Sequence, residues 1–378
     1  MRRKTTKEVT VPWRIVVPLG LVVAVAGIAG IGMAKLADTP PPEVLSVEHH
    51  AALVEPSGNP YTLASLLERL PPDAVAKVGR YLDYYQKKKH RGLQGGLARS
   101  TRYLAIYQEI FRKSGLPEEL AYLPLIESGF VESATSHAQA VGVWQFTAET
   151  GRRFNLQAND YFDRRRDPIT SAHAAARYLK VLHRKFNNWD LALAAYNSGA
   201  GTVNWAQRVN RKAKLPTDYW SLTLPEETMN YVPAFIASVL IAKNPDAFGF
   251  RKIRFQPQIA YERMKVSPGI SLASLAIKME VEEDALFSLN PELLQGTTPP
   301  GASHYLLRVP PGKREVLRGQ VASGETKMKD WVLHRVQTTD TLQTLAARFQ
   351  AQPHKILKVN GIQGDTDLIQ REYLIIPL

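Results

Sequence analysis

The chain has 378 residues, 44% of them hydrophobic, and a formal charge of +13 from 48 basic and 35 acidic side chains. That length allows two or three domains, and the apolar content suffices for each to bury its own core. It contains no cysteine, which excludes disulfides, thiolate metal sites, a cysteine nucleophile and a lipid-modified N-terminal cysteine. The basic excess would suit nucleic acid, but there is no helix-turn-helix, zinc-finger or aromatic–basic RNA pattern, so no nucleic-acid partner is expected. An anionic polymer or a membrane surface is the expected counter-charge.

The first segment, 1–37, begins with Arg2, Arg3, Lys4, Lys7 and Arg14. Ile15–Ala34 follows as 20 residues without a charge, long enough to span a bilayer as a helix. The basic flank would stay cytoplasmic, so everything after Lys35 is exported. A cleaved signal peptide is the competing reading, but its apolar core is usually about 7–15 residues. The greater length favours an uncleaved anchor. Residues 38–60 contain Pro40, Pro41, Pro42, Pro56 and Pro60 and read as a linker. Within it Val44–Val54 suits a packed arm equally well.

Residues 61–245 carry helical period almost throughout. Leu63, Leu66, Leu67 and Leu70 make one stripe. Val78, Tyr81, Leu82 and Tyr85 make a second, and Tyr103, Ile106, Tyr107, Ile110 and Phe111 a third. Next comes Leu116, Leu120, Leu123 and Ile126, with Pro117, Glu118 and Glu119 suited to a helix start. Pro124 predicts a kink or an early end, and Gly129 ends the run. Glu127 directly follows the apolar face. A carboxyl at such a tip is partly desolvated, which raises its pKa and suits a general acid. A solvated glutamate at a helix end is the plainer alternative. Trp144 and Phe146 read as core. Thr170–Phe186 is helical behind Pro168, Asp190 is the expected cap of Leu191–Tyr196, and Gly199 and Gly201 are the expected end of that helix. A last long helix covers Leu222–Lys243, with Pro233 inside it. Arg164-Arg165-Arg166 and Lys87-Lys88-Lys89 read as solvated charge runs. His49, His50, His173, His183 and His334 have no metal-ligand spacing, so neither a metal nor a cofactor is expected.

The C-terminal third repeats itself. Shifted by 70 residues, Ser271–Asn290 lies on Thr341–Asn360 without a gap. Leu272, Leu275, Ala276 and Asn290 meet Leu342, Leu345, Ala346 and Asn360. Both copies read as two helices and an asparagine, closed by an apolar strand at Tyr305–Val309 or Tyr373–Ile376. Leu333–Val336 adds a leading strand to the second copy, giving β-α-α-β. The two modules are bounded at 255–312 and 332–378.

Four motifs stand in order along the helical part: Glu127-Ser128, Gly142-Val143-Trp144-Gln145-Phe146, Ala195-Tyr196-Asn197 and Glu227-Thr228-Met229-Asn230-Tyr231-Val232-Pro233. The set resembles the family 1 lytic transglycosylases of the goose-lysozyme-like superfamily, in particular the membrane-bound murein transglycosylase D type. The repeats resemble LysM domains, which bind N-acetylglucosamine-containing glycans. The resemblance implies a mainly α fold: a lysozyme-like catalytic domain, then small α+β modules. It implies that Glu127 is the catalytic acid and base, and that Ser128, Gln145, Tyr196, Asn197 and Tyr231 bind substrate or hold the carboxyl. It places glycan binding at Thr339, Asp340, Thr341 and Asn360. Ile270 stands where the first module would need its loop acid. Two departures are mild: Val143 stands for a more usual Leu or Ile, and Ala200 for Glu.

The implied reaction is non-hydrolytic cleavage of peptidoglycan in the periplasm, by an enzyme anchored in the inner membrane. The partners expected are murein glycan strands and, through the N-terminal segment, the membrane. Two alternatives remain. One is a lysozyme-like hydrolase using Glu132, Asp163, Asp167, Asp190 or Glu226 as a second carboxylate. The other is a wall-binding scaffold without activity.

Overall fold

A computed structural model of the protein describes residues 70–266, 268–299, 304–314, 331–360, 362–371 and 373–377. The predicted anchor at 15–34, the linker at 38–60 and the Leu63, Leu66 and Leu67 part of the first stripe lie outside them. Among the described residues no helix is long and apolar enough to cross a membrane.

The helical part is built from α1 (Pro72–Lys87), α2 (His90–Ser100), α3 (Leu104–Lys113), α4 (Pro124–Glu127), α5 (Ala148–Arg153), α6 (Pro168–Phe186), α7 (Trp189–Ser198), α8 (Ala200–Lys212) and α9 (Glu226–Lys243). The expected stripes are the buried faces: Val78, Tyr81, Leu82 and Tyr85 of α1, and Tyr107, Ile110 and Phe111 of α3. Helix α9 is apolar nearly all round, with Tyr231 to Ile241 buried, which marks a helix enclosed by others. It packs against α1 and α7. Helices α6 and α7 pack together, and their alanines, Ala172, Ala174, Ala175, Ala176, Ala192, Ala194 and Ala195, are buried.

Several local readings are corrected. Asn188, not Asp190, caps α7, its side chain accepting from the Leu191 amide at 2.9 Å. Asp190 lies one turn in and accepts from Trp220 Nε1 at 3.0 Å. Gly199 does end α7, at φ +83°, but Gly201 belongs to α8. Helix α2 has Gly92, Gly95 and Gly96 and shows little helical signal. Its glycine has a packing reason: a Cβ on Gly96 would sit 3.3 Å from Leu125 and 3.5 Å from Gly129. The absent Cβ lets the chain around Glu127 pack closely on α2.

The modules follow. The first has β1 (Glu262–Val266), α10 (Leu272–Met279), α11 (Glu283–Leu289) and β2 (Tyr305–Val309). Strands β1 and β2 pair antiparallel, from Glu262 opposite Val309 to Val266 opposite Tyr305. The first copy therefore has the leading strand too, which its charged sequence Glu-Arg-Met-Lys-Val concealed. The second has β3 (Trp331–Arg335), α12 (Leu342–Phe349), α13 (Pro353–Asn360), α14 (Asp365–Leu368) and β4 (Tyr373–Pro377), with β3 and β4 antiparallel. The 70-residue repeat is structural: Ser271 and Thr341 are both N-caps, and Glu280 and Gln350 both end a helix in the left-handed region. Asn290 and Asn360 both donate to the carbonyl four residues back, at 2.9 and 2.8 Å. Each module has a core of its own.

Candidate active site

The sequence 116–130 does not form one helix. A 3₁₀ turn, Glu118–Tyr122, begins after Pro117, and α4 begins at Pro124, where a proline ring fits a first turn. Leu120, Leu123, Leu125 and Ile126 are all buried, so both turns are pressed into the core. Gly129 and Phe130, at φ +61° and +60°, then reverse the chain. Arg99 Nε holds the Gly129 carbonyl at 2.7 Å. This fixes Glu127 as the last residue of α4, 5% exposed.

Helix α9 presents Tyr231 to Glu127, and its hydroxyl donates to Glu127 Oε1. Burial pushes the Glu127 carboxyl up from 4.5 to about 8; the Tyr231 bond lowers it and the Glu227 charge raises it. Glu127 is thus a neutral acid at pH 7, with a proton to give.

The loop 134–146 makes the opposite wall. Val141 bridges to both Thr135 and Phe146. Gly142 turns at φ +85°, and a Cβ there would lie 1.9 Å from the Arg165 carbonyl oxygen, so only glycine fits. Gln145, at φ +49°, donates to the Gly142 carbonyl at 2.8 Å. Its Oε1 is buried without a partner. Trp144 and Phe146 are core, as expected.

Tyr196 donates to the Trp144 carbonyl at 2.8 Å. Asn197 donates to Glu227 Oε1 at 2.9 Å and accepts from Thr228 Oγ1 at 2.8 Å. Ser128 is turned elsewhere: it donates to the Val143 carbonyl at 2.8 Å and accepts from the Val131 amide at 3.3 Å. It joins α4 to the loop.

Glu127, Gln145, Phe146, Tyr178, Tyr196 and Asn197 line one cavity of about 70 Å³, with Ala140, Thr147, Thr150 and Gly199. Among its described lining residues Glu127 is the one carboxylic acid. Tyr178, Thr147 and Thr150 went unnoticed in the sequence. Tyr178 lies on the apolar side of α6 and reads there as core; Thr147 is the N-cap of α5.

None of the five alternative carboxylates lines this cavity. Glu132 accepts from Tyr103 at 2.6 Å. Asp163 pairs with Arg165 at 2.7 Å and Asp167 with Arg308. Asp190 holds Trp220, and Glu226 is exposed in the first turn of α9. The acid whose charge reaches Glu127 is Glu227, inside the fourth motif but not among those five. Arg165 is also not part of a solvated run: its side chain is 11% exposed and donates to the carbonyls of Gln139 and Phe146 at 3.1 and 3.3 Å.

In the second module Asp340 accepts from His334 Nε2 and the Gln337 amide, both at 2.7 Å. Burial would raise its carboxyl, but these bonds hold it below the usual range. Thr341 and Thr344 form a capping box, and Asn360 is buried against Ile356. Thr339 is exposed in the turn.

Residues 105–217 match the Transglycosylase SLT domain. Residues 260–326 match the lytic transglycosylase MltD LysM-like domain, and 334–377 match the LysM domain. The chain carries an SLT domain and two LysM-type modules. Over 265 residues it is 32% identical to membrane-bound lytic murein transglycosylase D of Escherichia coli strain K12, covering 67% of this chain and 58% of that protein. It thus spans little more than half of that relative. It is 42% identical over 107 residues to a putative tributyltin chloride resistance protein of an Alteromonas species, covering 28% of this chain and 52% of that one. It is 25% identical over 145 residues to membrane-bound lytic murein transglycosylase F of Cellvibrio japonicus, covering 36% and 27%. The SLT match contains Glu127, Gln145, Tyr196 and Asn197. Tyr231 and Glu227 lie beyond it, on the helix that completes the site.

Proposed function

We propose that the chain is a peptidoglycan lytic transglycosylase, cleaving the MurNAc-β-1,4-GlcNAc bond without water and leaving 1,6-anhydromuramic acid ends. The carrying observation is one neutral, buried carboxyl in a cavity whose lining offers no second one. Hydrolysis with inversion or retention ordinarily takes two carboxylates across the bond. A single group that first gives and then takes a proton fits a reaction whose nucleophile belongs to the substrate.

In this reading the Glu127 proton goes to the glycosidic oxygen as the C1–O bond breaks. The substrate acetamido group stabilises the positive anomeric carbon. Glu127, now a carboxylate, accepts the proton of the C6 hydroxyl while that oxygen bonds to C1. The enzyme ends as it began. Tyr231 orients the carboxyl and stabilises its charged form. Gln145 Oε1, unpaired and buried, is the acceptor for a substrate N–H or O–H; Asn197 and Tyr196 shape the wall. Ser128 acts by fixing α4 to the loop.

The domain bounds 61–245, 255–312 and 332–378 belong to this proposal, with glycan binding by the second module through Thr339, Thr341 and the loop that Asp340 holds. So does a periplasmic location with an inner-membrane anchor at 15–34. Glu127→Gln tests it: the shape stays and the proton is gone. Murein solubilisation should fall by at least about 100- to 10,000-fold, with the fold kept and the variant melting no lower than wild type. Full activity of that variant would reject the site.

A further inference from the structure

The first LysM-type module is joined to the SLT domain by buried polar contacts. Arg308 of β2 is 6% exposed at its side chain. One arm of its guanidinium meets Asp167; the other meets Glu292 at 3.0 Å and the Leu289 carbonyl at 3.2 Å. Asp167 is the N-cap of α6, accepting from the Ile169 and Thr170 amides at 3.0 and 2.9 Å. The backbones are linked too. The Asp163 amide donates to the Glu292 carbonyl and the Leu294 amide to the Tyr161 carbonyl, both at 2.8 Å. Phe162 packs on the module core, and Leu289 of the module belongs to the SLT core.

This contact continues into the cleft. Asp163 holds Arg165 through its Nε and Nη2, at 3.0 and 2.7 Å. Arg165 donates to the carbonyls of Gln139 and Phe146, on either side of Gly142 in the loop that carries Gln145. The Arg165 backbone lies directly against Gly142. Hydrogen bonds, ion pairs and one close backbone contact thus run from the module to the cavity wall.

We propose that the first LysM-type module is a buttress of the cleft, and that Arg308 and Arg165 are positioning residues that set the Gln139–Phe146 loop against Glu127. The module works through residues 160–167 and touches no substrate. Its missing loop acid, with Ile270 in place, is consistent with a part whose use is mechanical. This rests on the reading of Glu127 and Gln145 as the reacting and binding groups.

The test uses the full chain, with Arg308→Met and Arg165→Lys. Hydrogen exchange is read peptide by peptide, independently of activity. Arg308→Met should raise exchange at 160–167 and also at 139–146; Arg165→Lys, which leaves the module contact intact, should raise it at 139–146. Each should lower kcat/KM on soluble murein chains about tenfold at temperatures well below melting. Combined with Gln145→Ala, the losses should be less than multiplicative, because all act through one wall. Loss of stability alone would give multiplicative losses. Exchange confined to 286–310, with kcat/KM within twofold of wild type, would overturn the inference. If Arg308→Met does not fold, Arg308→Lys, which keeps the charge but not the two-armed contact, decides in the same way. A wild-type chain that cleaves no murein would reject the functional reading, while the exchange pattern still judges the buttress.

Discussion

Glu127 sits in a folded environment that prefers its neutral form, and this has two measurable consequences. Its carboxyl is raised from 4.5 to about 8, so between those values the native state binds a proton that the unfolded chain has lost. Stability from this group is complete below about pH 4.5 and declines as pH rises toward 8. Melting curves of wild type and Glu127→Gln should therefore diverge over that window, the variant becoming the more stable by a few kcal/mol, on the order of the shift. The second consequence concerns rate. An acid that must start protonated gives kcat/KM an alkaline limb near pH 8. Removing the Glu227 charge with Glu227→Gln should move that limb down, and removing the Tyr231 bond with Tyr231→Phe should move it up. Limbs that stay in place in both variants would mean another group sets the profile. In the sequence, Glu127 was legible as an acid after an apolar face. The roles of Glu227 and Arg165 were not, because each depends on a partner far along the chain: Glu227 on Asn197, and Arg165 on the Gln139 and Phe146 carbonyls.

At the scale of elements, the wall opposite Glu127 depends on one glycine. Gly142→Ala puts a Cβ into the Arg165 backbone at a positive φ, combining overlap with strain. It should cost about 3 kcal/mol or more, read as a lower urea midpoint at unchanged m-value. A neutral result would mean that the 160–166 segment yields freely. The long helices were legible because apolar period and breakers agree. Helix α2 was not, because its packing face is glycine and a missing side chain leaves no hydrophobic signal. Strand β1 was not, since it alternates charge with apolar residues over only five positions. The α7 start was misjudged by two residues, because Asn188 and Asp190 both have the chemistry of a cap.

At the scale of the whole molecule, the two modules have the same β-α-α-β plan and different attachments. Removing 332–378 should weaken binding to insoluble murein more than it slows cleavage of short soluble chains; equal losses would mean that this module supports the SLT domain instead. Removing 255–378 takes Leu289 and Ile259 from the SLT core and leaves Asp167 without Arg308. Breaking a buried pair costs about 3–5 kcal/mol, so melting should fall by about 10 °C. The repeat itself was visible as a 70-residue shift. That one copy is locked to the SLT domain was not, because Arg308 and Asp167 are 141 residues apart and nothing local announces the pairing.

In the proposed reaction one buried acid, Glu127, cleaves murein with the substrate supplying the nucleophile. Its most direct test is digestion of purified murein in ¹⁸O-labelled water, with mass spectrometry of the released sugar ends. Wild type should release 1,6-anhydromuramic acid ends with no label, and Glu127→Gln should release none. Reducing muramic acid ends carrying the label would contradict it and establish a hydrolase.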